Sequence, residues 1–347
     1  MATQIQSLKL EIILTIDSVP IDITAGVMGV TYRMAANVDS ELNIQVQLFG
    51  NLWTTPPEVG DTITAKYWYE SSAANSWRSG TCWIYSISSN GFYLNLKATN
   101  YNPLLLTIPS QSSGDDIIYE DKTLRNIIDL AVSELNIGLT GVSAAANTTF
   151  IGTAENPNET IVKATGDRSY LEMVYEWARR FGFMAYAWRN AFYCEDYLKD
   201  YALSTGIPTY KIQDTIESRV EFTELNDVRR FIRIYRLPNF RTDYTITWVR
   251  SGRTVDVSSE GYYKDVTSRQ RRRIGLSLEA AGSAKSVMLV IPGTTDDKIR
   301  PGTRISLQGG FADVQKGEYI INEVTQNVMS PVAGWQTSIR ATKAYAF

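Results

Sequence analysis

Hydrophobic and polar positions alternate along most of this chain. In "KLEIILTID", Leu10, Ile12, Leu14 and Ile16 take every second position, set off by Lys9, Glu11, Thr15 and Asp17, which is the period of a half-buried strand. "ELNIQVQLF" repeats it with Leu42, Ile44, Val46 and Leu48 on one face and Asn43, Gln45 and Gln47 on the other. "DTITAKYWY" follows, and "GTCWIYSISSNGFYLNLKAT" predicts two strands joined through Asn90-Gly91, a strong short hairpin signal.

Near residue 110 the texture changes. "SQSSGDD" is a polar connector, and in "EDKTLRNIIDLAVSELNIG" the residues Leu124, Ile127, Ile128, Ala131 and Leu135 form a helical stripe stopped by Gly138. "LTGVSAAANTTFIGTAENPNET" is small and polar, a loop or weak-strand region. A second helix is predicted from Ser169, which with Glu172 has the spacing of a capping box. Leu171, Val174, Tyr175, Ala178 and Phe181 form its apolar stripe, Glu172, Glu176, Arg179 and Arg180 its polar side, and Gly182 its end. Phe183–Trp188 and Ala191–Glu195 then read as a hairpin closed by Arg189-Asn190.

Strands resume after about residue 206, in "RRFIRIYRLP", "DYTITWVRSGR", "KSVMLVIPG", "GTRISLQGG", "GEYIINEVTQ" and "GWQTSIRAT". The basic run "SRQRRRIG" at 268–275 interrupts them, as a solvated loop or as a contact for an acidic partner. The expected organisation is mainly β with an α/β insert: a β region over 1–109, the insert over 110–205, and a second β region with connecting strands over 206–347.

The two β regions echo each other in order. Gly60-Asp61-Thr62-Ile63-Thr64 matches Gly302-Thr303-Arg304-Ile305-Ser306. The run from Gly80 to Ile87 matches the run from Gly317 to Val324, and Phe92 through Thr99 matches Trp335 through Thr342. A duplicated module lets three chains present six similar units, and closed rings are the usual symmetric assembly.

Composition narrows the chemistry. Among 347 residues there is no histidine, which excludes Ser-His-Asp and Cys-His nucleophile systems, His-ligated zinc and the two-His iron site. Cys82 and Cys194 are too few for a disulfide framework and sit in apolar strand context, where small buried thiols are common. No catalytic, cofactor-binding or metal site is read from the sequence, and no cofactor is expected. A formal charge of −3 argues against charge-driven nucleic-acid binding. No apolar run is long enough to span a bilayer, and the N-terminus lacks the pattern of a secretory signal, so synthesis in a reducing cytosol is expected.

The chain resembles the tail hub proteins of contractile phages and related injection machines: the late control protein D family and the hub portion of type VI spike proteins. The likeness rests on Ser169, Leu171, Glu172, Val174, Ala178, Gly182 and Phe183 of the capped helix and its hairpin. It continues through "TLRNIIDLAV" at 123–132, "IRPGTRISLQG", "KGEYIINEVTQ" and the closing "WQTSIRA". The family usually carries a regular Ala-rich helix before "KSVMLVIPG"; here Gly275 and Gly282 interrupt it, so 265–285 departs from the pattern. The resemblance implies two tube-like β-barrels with an α/β insert and a homotrimeric, pseudo-hexameric ring around a channel in the virion tail baseplate. Tail tube protein would stack on one side and a spike on the other, tape-measure and baseplate wedge proteins are further partners, and DNA would only pass through the lumen. Because the sequence stops at Phe347, just after the closing strand, the spike is expected to be a separate protein.

Two other readings stay open. A carbohydrate-binding or carbohydrate-active protein would use Trp53, Trp68 and Trp77 to stack on sugars and Asp115 with Asp116 as paired acids. A tail tube or wedge protein would belong to the same machinery, although a tube protein needs only one barrel per chain.

Overall fold

The computed structural model of the chain describes residues 7–47, 55–70, 76–101, 183–196, 207–211, 215–222, 229–236, 242–248, 254–257, 285–309, 317–329 and 334–343, with short pieces at 117–118, 141–142, 163–164, 174–176 and 178–179. Strands dominate. The first group is β1 (Leu8–Ile16), β2 (Val19–Asp22), β3 (Val27–Ala35), β4 (Glu41–Gln47), β5 (Thr62–Tyr69), β6 (Trp77–Ser89) and β7 (Tyr93–Thr99). The middle of the chain holds β8 (Ile117–Ile118), β9 (Gly141–Val142), β10 (Lys163–Ala164), β11 (Phe183–Trp188) and β12 (Ala191–Asp196). The last group is β13 (Thr209–Lys211), β14 (Glu217–Phe222), β15 (Arg229–Arg236), β16 (Thr242–Trp248), β17 (Thr254–Val257), β18 (Lys285–Pro292), β19 (Arg304–Gln308), β20 (Gly317–Met329) and β21 (Gly334–Lys343).

The period-two pattern places the side chains as expected. Ile12, Leu14 and Ile16 of β1 and Leu42, Ile44 and Val46 of β4 are buried, while their polar neighbours stay at least partly open to solvent. They join one apolar cluster with Ile63, Leu96, Leu289, Ile305, Ile321 and Ile339, drawn from both ends of the chain. A single 13-stranded sheet carries this core, in the order β14-β18-β21-β20-β3-β4-β7-β6-β5-β1-β2, with β19 on β20 and β13 on β19.

Within that sheet the same strand order occurs twice. The N-terminal set runs β3-β4-β7-β6-β5-β1, and the C-terminal set runs β14-β18-β21-β20-β19-β13. The registers match residue by residue. Trp83↔Thr99 and Ile84↔Ala98 correspond to Ile320↔Thr342 and Ile321↔Ala341. Both pairs of strands then skip one residue, between Ile84 and Ser86 in one and between Ile321 and Glu323 in the other. Turn contacts repeat as well: the Gly60 N–H donates to Ile84 O (2.8 Å) and the Gly302 N–H to Ile321 O (2.9 Å). Both glycines have positive φ, 105° and 87°, which the tight entry into β5 and β19 requires. A shared bulge is a stronger sign of duplication than shared hydrophobicity, because alternation alone does not place an extra residue. The flanks differ: β1 is antiparallel to β5, whereas β13 is parallel to β19.

Between the two sets, β11 and β12 form the predicted hairpin, turning through Arg189 and Asn190 at φ 49° and 61°. Residues 174–176 and 178–179 are helical, with Val174, Tyr175 and Ala178 buried and Glu176 and Arg179 exposed, as the apolar stripe requires. The turn at Asn90-Gly91 is shifted by one position from the expected centre. The Asn90 N–H pairs with Tyr93 O (3.2 Å), so Gly91 and Phe92 are the central residues, and Asn90 Oδ1 accepts from the Phe92 and Tyr93 N–H groups. Strands β15, β16 and β17 form a sheet of their own. The helix over 123–132, Ser169, Glu172, Gly182, the basic run at 268–275, Trp53, Asp115 and Asp116 lie outside the described residues.

Candidate functional site at the joint of the two strand sets

The two sets meet where the second half of β20 pairs antiparallel with β3, from Glu323↔Ala35 to Met329↔Gly29. One sheet therefore runs without interruption from one module into the other. Arg33 reaches Glu323 across the joint at 2.9 Å, Thr31 Oγ1 donates to Asn327 Oδ1 at 3.1 Å, and the Ala36 N–H donates to Asn322 O at 2.7 Å.

Aromatic packing reinforces the joint from the core side. Trp77 stacks on Tyr67 at 4.5 Å and meets Tyr32 edge-on at 4.9 Å. Trp335, from the other set, meets the same Tyr67 edge-on at 4.9 Å and stacks on Tyr69 at 5.5 Å. Its indole N–H would be stranded in such a core. The buried Gln326 resolves this: its Oε1 accepts from Trp335 Nε1 and from Thr337 Oγ1, both at 2.7 Å.

The β11–β12 hairpin bolts the two sets together. Its turn lies on β6, where Asn190 Oδ1 accepts from the Thr81 N–H (2.8 Å) and Asn190 Nδ2 donates to Thr81 O (3.3 Å). Arg189 pairs with Asp297, in the loop before β19, at 3.0 Å. Asn37, in the turn after β3, makes a two-way amide pair with Ala185: its N–H donates to Ala185 O (2.7 Å) and its Oδ1 accepts from the Ala185 N–H (2.9 Å). Gly80 permits the close approach: a Cβ there would lie 2.5 Å from Asn190 Oδ1 and 2.7 Å from Arg189 Cα, at a φ of +75°.

Charge around the joint is held by hydrogen bonds and ion pairs. Burial disfavours ionised Glu41, but hydrogen bonds from Tyr85 and Asn43, both 2.5 Å, with Lys97 and Arg33 nearby, outweigh it and hold the carboxyl below its ordinary value. A cleft of about 470 Å³ beside the joint is lined by Arg33, Met288, Asn322, Glu323, Arg340 and Thr342, among others. Among the described residues no group of three or more His, Cys, Asp or Glu converges, and no helix is long and apolar enough to cross a membrane.

The residues singled out from sequence separate clearly. Trp77 is 2 % exposed in the aromatic core, so it offers no face to a sugar. Trp68 is half-buried with Lys66 over its ring at 4.7 Å. Cys82 and Cys194 are buried free thiols, and burial, opposed by a Ser79 hydrogen bond, pushes Cys82 up to about 12. Gln326, Asn37 and the contact of the turn residue Asn190 with Thr81 escaped sequence reasoning. Their only signal was a polar residue at an apolar-face or turn position, which many exposed residues share.

No protein-family model matches the sequence. No curated protein matches it either. Solved structures do match, along nearly the whole chain. A tail protein of prophage MuSo2 from Shewanella oneidensis has a TM-score of 0.59 at 12 % identity, over 96 % of this chain and 98 % of that one. A tail protein from Neisseria meningitidis MC58 has a TM-score of 0.61 at 10 % identity, over 97 % and 96 %. An Escherichia coli type VI secretion component, described as structurally similar to bacteriophage T4 tail proteins, has a TM-score of 0.54 at 12 % identity, over 98 % and 77 %. The fold is thus shared with these phage tail proteins and this type VI secretion component, and it is mainly β with two related strand sets in one chain.

Proposed function

We propose that this protein is the structural hub of a contractile tail or related injection machine, a homotrimeric ring that adapts six-fold tail tube to a three-fold spike. The observation that carries this reading is the residue-level repetition of strand order, register and bulge in the two sets. Two equivalent modules per chain give three copies six equivalent positions around an axis, while the β11–β12 hairpin, outside both sets, leaves the assembly three-fold elsewhere. The continuous sheet through β3 and β20 serves as the wall between neighbouring modules, and the domain division at about 109 and 205 separates the modules from the insert between them. Tail tube protein stacks on one side of the ring and a separate spike on the other, with tape-measure and wedge proteins as further contacts and DNA or an effector only passing through. The role is non-enzymatic: load moves through packed sheets, and obligate interfaces beyond about 2,000 Å² keep such a ring closed.

Mass in solution tests the reading. Native mass spectrometry or light scattering of the purified chain is expected to give three copies, and imaging a ring with a central opening. A protein that stays monomeric at high concentration, or that grows into hexamers or open polymers, overturns it.

A further inference from the structure

If the two sets are equivalent, each joint surface has a counterpart. The internal joint uses the flank of β20 beyond its bulge and the outer edge of β3. By the matched registers the counterpart of that β20 flank is β6 from Ser86 to Ser89, and the counterpart of β3 is β14. Both are open among the described residues. β14 ends the large sheet with β18 as its one neighbour, and β6 beyond Ile84 is paired only with β7. The Asn90 N–H bonds to Tyr93 in β7, so alternation turns the backbone groups of Ile87 and Ser89 toward the open side. Exposed apolar side chains mark both edges: Phe92 is 63 % exposed in the turn after β6 and Ile216 is 55 % exposed just before β14. An unpaired edge flanked by apolar side chains is a template for another strand.

We propose that β6 of one copy pairs antiparallel with β14 of the next, in the register of the internal joint: Ile87 opposite Phe222, Ser88 opposite Glu221 and Ser89 opposite Val220. The occupant of each open edge is a second copy of this chain. The inference rests on the ring reading and adds the contact that closes it. Continued past the turn, the register brings Phe92 toward Ile216, so the two exposed apolar groups cover each other. The pairing is head-to-tail, which closes into a ring when the rotation allows.

Ser88 and Glu221 correspond to Thr325 and Arg33, a pair whose backbone groups face away from each other. Such pairs have Cα atoms about 4.5 Å apart and admit a disulfide. Within one chain the two positions are separated in the sheet by β18, β21, β20, β3, β4 and β7, and a link inside one chain would run as a monomer, distinct from a covalent trimer. The test is the double variant Ser88→Cys/Glu221→Cys, oxidised with copper phenanthroline and run on a non-reducing denaturing gel, with native mass recorded in parallel. Covalent trimers are expected from the double variant, none from either single variant, and none from Ser88→Cys/Glu217→Cys, which is out of register. A native trimer that yields no ladder, or that links equally well out of register, overturns this pairing and leaves the ring reading standing. A chain that is monomeric by native mass overturns both. Independently of any cysteine, Ser89→Pro removes one outward N–H and is expected to release folded monomers; a variant that remains fully trimeric counts against the pairing.

Discussion

Phe92 and Trp335 occupy matched positions in the two strand sets, yet one is 63 % exposed and the other 3 %. Part of the contrast is local: both follow a glycine of positive φ, 87° and 74°, but Phe92 is a central residue of the tight β6–β7 turn, whereas Trp335 lies within β21 opposite Val328. The rest of the difference lies in what adjoins each module. Trp335 sits where the other set supplies Tyr67 and Tyr69 and its own neighbour β20 a buried Gln326, whereas the flank beside Phe92 is open among the described residues. Duplicated modules thus diverge at their edges, where one copy of the joint is spent inside the chain and the other is left outward.

The same substitution at matched positions should separate these roles most sharply. Gln326 and Ser89 are counterparts on β20 and β6, and proline at either removes an N–H directed away from the hairpin partner. At Gln326 that N–H lies in the β3 ladder, and the side chain holds Trp335 and Thr337, so Gln326→Pro is expected to cost well over about 3 kcal/mol and yield no soluble folded protein. Ser89→Pro leaves the dissociated chain's urea midpoint within about 1 kcal/mol of the parent. Equal damage at both positions would mean that the outward flank of β6 is covered within the chain.

Truncating the aromatic pair gives the next contrast. Trp335→Ala is expected to lower stability by about 3–5 kcal/mol, since it empties a packed site and leaves Gln326 without a donor. Phe92→Ala should move the dissociated chain by no more than about 0.5 kcal/mol. Chemical denaturation of both variants checks this at a common protein concentration.

Gly80→Ala probes the bolt rather than the joint. Positive φ costs a non-glycine residue roughly 1–2 kcal/mol, and the new Cβ collides with Arg189 backbone and Asn190. A loss of about 2 kcal/mol or more is expected, together with faster hydrogen exchange at Thr81 and Ala185, whose N–H groups are tied to this hairpin and its strap. Unchanged exchange at both amides would show that the hairpin docks without this contact.

Much of this architecture was legible in the chain because it is local. Period-two burial at Ile12, Leu14, Leu42 and Ile44, the hairpin turns, and the ordered echo from Gly60 to Thr99 against Gly302 to Thr342 all depend on near neighbours. The joint was not legible. Pairing Val324 with Met34 links residues from opposite ends of the chain, and either strand's alternation fits several partners equally well. Nor could alternation foresee that Trp77 faces a core shared by both sets, or that Asn37 would strap β3 to β11, since both depend on the joint already existing.

The smallest expected effect is electrostatic, and it again contrasts the modules. Glu41 on β4 lies beside Tyr85 and opposite Arg33, whereas its counterpart on β18 is Ser286, opposite Glu221. Because Glu41 ionises more readily in the folded chain than its ordinary carboxyl would, the native state binds its proton less tightly than the unfolded state. Its contribution is therefore complete above the unfolded value, about 4.3, and is lost as pH falls through the lower folded value. The group is only half-buried, so screening keeps the effect under about 1 kcal/mol. Urea midpoints of the parent and of Glu41→Gln, measured from pH 6 down to pH 3, should converge as the pH drops, with the parent losing more. Parallel curves would mean that the Tyr85 and Asn43 hydrogen bonds hold neutral glutamine as well as the carboxylate, and that the strand beside the joint carries no acid-sensitive contact.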